Sequence, residues 1–205
     1  MLDKDGIKIH IDECGGIQPT HEAFYLEAIK FNLNSAINSV ELLYELLHKP
    51  GLLENEDRQH RSELILDLIQ NFLVHSAGVS RYFWAVKKGE NNLHKKRSQN
   101  LRKVFKVNDD SPLKNMVLRH HLEHLDENLD EYFWSRMLVG HIYPSYVGKE
   151  MERSQIPHHF FRAFFTDSGV FESLDLRLEL QPLIDEVYLM KKRVDQFGNQ
   201  WAAIV

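Results

Sequence analysis

The chain has very little cysteine, no long apolar run and no apolar leader. Cys14 is the single cysteine in 205 residues. That excludes an internal disulfide and any metal site built from a cysteine cluster, and it fits a reducing, cytoplasmic setting. No apolar stretch approaches the roughly 18–20 residues needed to span a bilayer. The start, Met1-Leu2-Asp3-Lys4-Asp5-Gly6, lacks the apolar segment of a secretory signal. Internal repeats and low-complexity tracts are also missing. What remains is 43% apolar and 27% charged, an ordinary globular composition. The length suits one domain over 1–205 with a full hydrophobic core.

The net charge of −5 hides an asymmetry. Between Lys87 and Lys106 stand eight cations against Glu90 alone, so this stretch carries +7 and the rest of the chain −12. Lys95, Lys96, Arg97, Arg102 and Lys103 lie in it. A basic segment on an acidic protein is either a footprint for a phosphate-bearing partner such as RNA or a solvated helix face.

Hydrophobic periodicity predicts mostly helix. Ile7, Ile9 and Ile11 alternate with polar residues and read as a short strand. After Gly15-Gly16 and Pro19, apolar residues recur at three and four from His21 to about His48, which predicts a long amphipathic helix closed by Pro50-Gly51. A second helix is expected from about Asp57 to Val86, apolar almost all round between Leu64 and Val79. A turn around Gly89 leads to a basic helix from about His94 to Val107. Ser111 as N-cap and Pro112 in the first turn start a fourth helix, running to about Met137. Gly140, Pro144, Gly148 and Pro157 then mark a long loop. Phe160 to Thr166, the turn Asp167-Ser168-Gly169 and the alternating leucines 174 to 180 predict a β-hairpin. A last helix is expected from Pro182 to Phe197, stopped by Gly198. The fold class so predicted is an all-α bundle of four to five helices over 20–137, with a small C-terminal β-hairpin and final helix over 158–197.

The richest stretch is Leu118-Arg119-His120-His121-Leu122-Glu123-His124-Leu125-Asp126-Glu127. On an ideal helix Leu118, Leu122, Leu125, Leu129 and Tyr132 form the core stripe, with Arg119 and Glu123 on one flank and His121 and His124 on the other. Two chemistries compete. His120, Glu123 and His124 spell H-x-x-E-H, a zinc-protease pattern whose third ligand would have to come from afar, for instance Glu186. A second helical metal site would combine His75, His121 and His124. Against both, Arg119 beside the histidines disfavours a second cation, so no metal and no cofactor is expected. Arg119 and His124 instead form R-x4-H. A guanidinium fits phosphate oxygens and an imidazole moves protons near neutrality. Together they suffice to cleave RNA without metal, with the 2′-hydroxyl as internal nucleophile. On one helix they stand about 140° apart, so convergence would need two copies meeting across a two-fold axis. A plain polar helix face, with Arg119 and Glu123 as an ion pair, is the bland alternative.

A helical bundle carrying Arg119-His120-x-x-x-His124 on a late helix resembles the HEPN superfamily. The resemblance covers roughly Thr20 to Met137, and the hairpin and last helix are no part of it. It implies a homodimer with a composite cleft and metal-independent endoribonuclease activity, of toxin or defence type and paired with an antitoxin. Some members only bind RNA. It also implies Arg119 and His124 as catalytic residues and His120 as the polar neighbour of the arginine. Arg81, closing the second helix, is a further candidate phosphate ligand beside the basic segment. Three function classes stay open: a metal-independent endoribonuclease or RNA-binding dimer, a non-catalytic helical interaction protein, and a helical metalloenzyme on His120, Glu123 and His124.

Overall fold

The computed structural model describes residues 4–18, 21–48, 58–86, 93–152 and 156–202. The long helices fall where periodicity places them. They are α2 (Glu22–His48), α3 (Arg58–Phe83) and α4 (Leu93–Val104). The expected stop at Pro50-Gly51, the turn around Gly89, and Lys87 and Lys88 of the basic run lie outside the described residues.

The first segment differs from expectation. It is a helix, α1 (Lys4–Cys14), and not a strand. Ile7 and Ile11 are also four apart, so the same five residues satisfy a helical period. Gly15 (φ +57°) and Gly16 (φ +85°) end it in the left-handed region, with Ile17 N–H donating to the Cys14 carbonyl at 3.1 Å. A Cβ on Gly16 would sit 2.9 Å from the Arg97 backbone nitrogen, so glycine lets the chain pass α4 closely.

The expected fourth helix is broken. Pro112–Lys114 is a short 3-10 turn, followed by α5 (Met116–Glu123) and α6 (Leu125–Trp134). Ser111 caps the 3-10 turn, and Asn115 caps α5 by accepting from Leu118 N–H at 2.9 Å.

An all-α HEPN-like bundle with one hairpin is therefore not the fold. Six strands form two sheets among the described residues: β1 (His141–Tyr143), β2 (Tyr146–Gly148), β3 (His158–Phe160), β4 (Ala163–Phe165), β5 (Val170–Ser173) and β6 (Leu176–Glu179). β1 pairs with β3 and β2 with β4, both in parallel and both seventeen residues apart. β4, β5 and β6 continue antiparallel. The stretch read as a loop thus carries two strands. Each is only three residues long, too short for alternation to register, and its partner lies far along the chain. The hairpin register also differs, because a second turn at Leu174-Asp175 makes β5 the partner of both β4 and β6. The last helix, α7 (Leu180–Ala202), begins earlier than expected and runs through Gly198.

Contacts group the chain into two compact units, with boundaries inside α2, α3 and α7. The first comprises 1–37, 75–114 and 186–205. Its core includes Ile29, Leu33, Val79, Phe83, Phe105 and Met190. Gly78 admits Asn32 against α3, where Asn32 meets His75 Nδ1 at 3.2 Å, so this polar residue lines a helix seam. The second comprises 38–74 and 115–185. Phe72, Phe165 and Phe171 are fully buried there, each stabilising the fold by about 1.5–3 kcal/mol. Phe160, Ala163, Phe165 and Val170 form the aromatic base of the sheets, with Tyr143 stacked on Phe160 at 5.1 Å. The run Phe160 to Phe165 is therefore core rather than an open stacking platform. No described helix is long and apolar enough to cross a membrane.

Candidate functional site

The break between α5 and α6 falls on His124, whose backbone (φ −128°, ψ 42°) leaves the helical region. Hydrogen bonding carries across it. His124 N–H donates to the His120 carbonyl at 3.0 Å, and the His124 carbonyl accepts from Asn128 N–H at 2.9 Å. The Asn128 side chain reaches back to the His121 carbonyl at 3.4 Å. Their spacing of four, kept by the first of these bonds, sets the imidazoles of His120 and His124 4.6 Å apart between centroids. Glu127 Oε2 lies 3.3 Å from His124 Nδ1. His120 is exposed and the His124 side chain is 41% exposed. This junction therefore offers two accessible imidazoles, one of them oriented by a carboxylate.

Arg119 departs from the expected geometry. It is only 5% exposed, with Nη1 3.6 Å from Met116 Sδ. The expectation that it flanks the core is overturned: α5 turns Leu118, Arg119 and His121 inward together.

His121 is buried and its Nε2 lies 3.0 Å from Ser173 Oγ. Burial, and secondarily His120, hold its pKa below the usual histidine value, against the pull of Asp175. His75, half-buried against Phe31, is likewise lowered by burial. Glu186, the distant ligand of the zinc reading, accepts from the Ser111 hydroxyl at 2.7 Å. Among the described residues no three His, Cys, Asp or Glu side chains converge to hold a metal ion.

The basic segment divides by residue type. Arg97 stacks over Tyr25 and Tyr82 at 5.5 and 5.9 Å. Arg102 lies over Trp84 at 5.8 Å and donates to the Phe83 carbonyl at 2.7 Å. Both are structural. Lys95, Lys96, Lys103 and Lys106 are exposed, as is Arg81 on α3. Lys95 and Lys103 are eight apart on one stripe of α4. Lys106 holds φ 53° at the end of α4, with Val107 N–H closing onto the Arg102 carbonyl at 2.8 Å.

His158 and His159, an isolated pair in the sequence, both find places in the structure. His159 is buried, with Nδ1 2.7 Å from Tyr132 Oη and Nε2 3.2 Å from the Val139 carbonyl. A carbonyl only accepts, so Nε2 carries the proton and, in the neutral ring, Nδ1 accepts from the tyrosine. His158 lines a cleft with Glu172 and Arg177. The signal was the spacing His141/His158 and Tyr143/Phe160, a match across two short segments that only their pairing makes visible. No family model, no curated protein and no solved structure matches this chain.

Proposed function

We propose that the α5–α6 junction is the reacting surface of a metal-independent endoribonuclease. One observation carries this: two accessible imidazoles stand side by side at the junction, with Glu127 on one of them. Such a pair can divide the proton transfers of RNA transesterification. One neutral imidazole takes the 2′-hydroxyl proton as that oxygen attacks phosphorus. A protonated imidazole gives its proton to the departing 5′-oxygen. The products are a 2′,3′-cyclic phosphate and a 5′-hydroxyl, and the second imidazole leaves as the base. Glu127 orients the His124 ring through its contact with Nδ1. Arg119, buried beneath, acts as a positioning residue rather than a phosphate ligand. The exposed lysines of α4 supply sequence-independent affinity for the RNA backbone. The HEPN resemblance is retained only for the R-x4-H motif.

A second reading, RNA binding without cleavage, is favoured by the burial of Arg119, which withholds the phosphate clamp. The test is incubation of purified protein with RNA in excess chelator. The proposal expects cleavage that is lost in both His120→Ala and His124→Ala. Binding with no cleavage in wild type would establish the second reading. Cleavage that persists in both variants would defeat the first.

A further inference from the structure

The second compact unit holds a cleft of about 410 Å³ that the ribonuclease reading does not use. Its volume is that of a small-molecule site. Its base is aromatic, from Phe160 and Phe165, and His158 stands at one side. Among the described residues its rim carries Glu150, Glu152, Glu172 and Asp175 against one cation, Arg177.

The cleft already recognises a guanidinium, one from its own wall. Arg177 pairs with Glu150 through Nη2 and with Glu172 through Nη1 at 2.9 Å. It does so with its guanidinium carbon 5.4 Å from the Phe165 ring centre. Two carboxylates around a planar cation over an aromatic face make a guanidinium or ammonium site. Arg177 engages two of the four carboxylates, and a surplus of negative charge remains among the described lining residues. Glu172 is partly buried, and burial raises its pKa in spite of the arginine. Asp175 is held from outside the cleft by Arg136 at 2.6 Å, and Glu152 is exposed at the rim. An anion would meet net negative charge here, and a neutral apolar molecule would strip water from carboxylates without replacing it. A cation on an apolar stem meets both demands, its charge on the rim and its methylenes on the phenylalanines.

We propose that this cleft binds a small aliphatic cation, an amine or guanidine on a short methylene chain. The site is independent of the α5–α6 junction, and its test does not read RNA.

The probe is agmatine, which carries both groups on four methylenes, titrated into the whole protein by calorimetry, with 1,4-butanediol as the uncharged control. The expected result is saturable agmatine binding with no butanediol binding. Glu172→Gln should weaken agmatine at least about tenfold, close to the cost of one charged hydrogen bond. Glu152→Gln, at the exposed rim, should weaken it several-fold and keeps the test valid if Glu172→Gln does not fold. Absence of saturable binding up to about 10 mM, an affinity too weak for a specific site, would overturn the proposal. So would equal binding of the diol, or affinity unchanged in the folded variants.

Discussion

In the first compact unit Arg97 and Arg102 lie over aromatic rings and support the α4 backbone's neighbours, while lysines face outward. In the second, Arg136, Arg162 and Arg177 also lie over rings, those of Tyr132, Phe161 and Phe165, and each is tied as well to carboxylates, of Asp175, Asp67, Glu150 and Glu172. The difference follows from side-chain chemistry. A planar fork stacks and bridges, whereas an ammonium on a flexible stem stays hydrated. Counting charge along the sequence treats all these residues alike. In the structure, the exposed lysines of α4 and the exposed Arg81 present positive charge in the first unit, and the second unit presents a negative cleft.

The largest effect separates cleavage from packing. His124→Ala should lower RNA cleavage on the order of a hundredfold or more, as acid–base groups contribute about 10²–10⁴, with little change in melting temperature because the side chain is accessible. Arg119→Ala should lower both, and chemical denaturation alongside activity would reveal it. An unchanged melting temperature for Arg119→Ala would contradict its role as a packed residue.

Gly140→Ala should destabilise the sheets of the second unit by about 3 kcal/mol or more. Gly140 holds φ +126°, and an added Cβ would run into the Pro157 carbonyl, which also accepts from His141 N–H. Urea unfolding reads this directly. Tyr132→Phe should cost about 1–3 kcal/mol by leaving the buried His159 nitrogen without its donor.

The two kinds of cation can be set against each other. Lys95→Ala with Lys103→Ala should reduce the salt slope of RNA binding by about 1–2 and leave stability unchanged. Arg102→Ala should do the reverse. If both variants behave alike, the division by residue type fails.

A smaller effect comes from pH. His121 has its pKa lowered in the fold, so its contribution to stability is present above the ordinary value of 6.5 and is lost as pH falls through the lowered value. Glu172, raised by burial, contributes in the opposite sense, its share fading as pH rises above 4.5. Thermal melts below pH 6.5 should fall less steeply for His121→Asn than for wild type.

The sequence made α2, α3 and α4 legible because a period of three to four persists over many turns. It failed where the competing signal was short. Five residues around Ile9 satisfy strand and helix alike. β1 and β2 are three residues each, and their parallel partners stand seventeen positions on. At the site, the sequence singled out Arg119, His120 and His124, and the structure keeps the two histidines together. It could not foresee the break at His124, which no proline or glycine announces, nor the burial of Arg119 on the inward side of α5. The cleft was illegible because its carboxylates sit on separate strands and loops, joined only by the sheet.

The α5–α6 junction should leave a chemical signature on RNA. Its most direct test is the end groups left on a short defined RNA after incubation with pure protein in chelator, read by mass spectrometry. The account predicts 2′,3′-cyclic phosphate and 5′-hydroxyl ends that vanish in His124→Ala. Intact RNA, or 5′-phosphate ends, would contradict it.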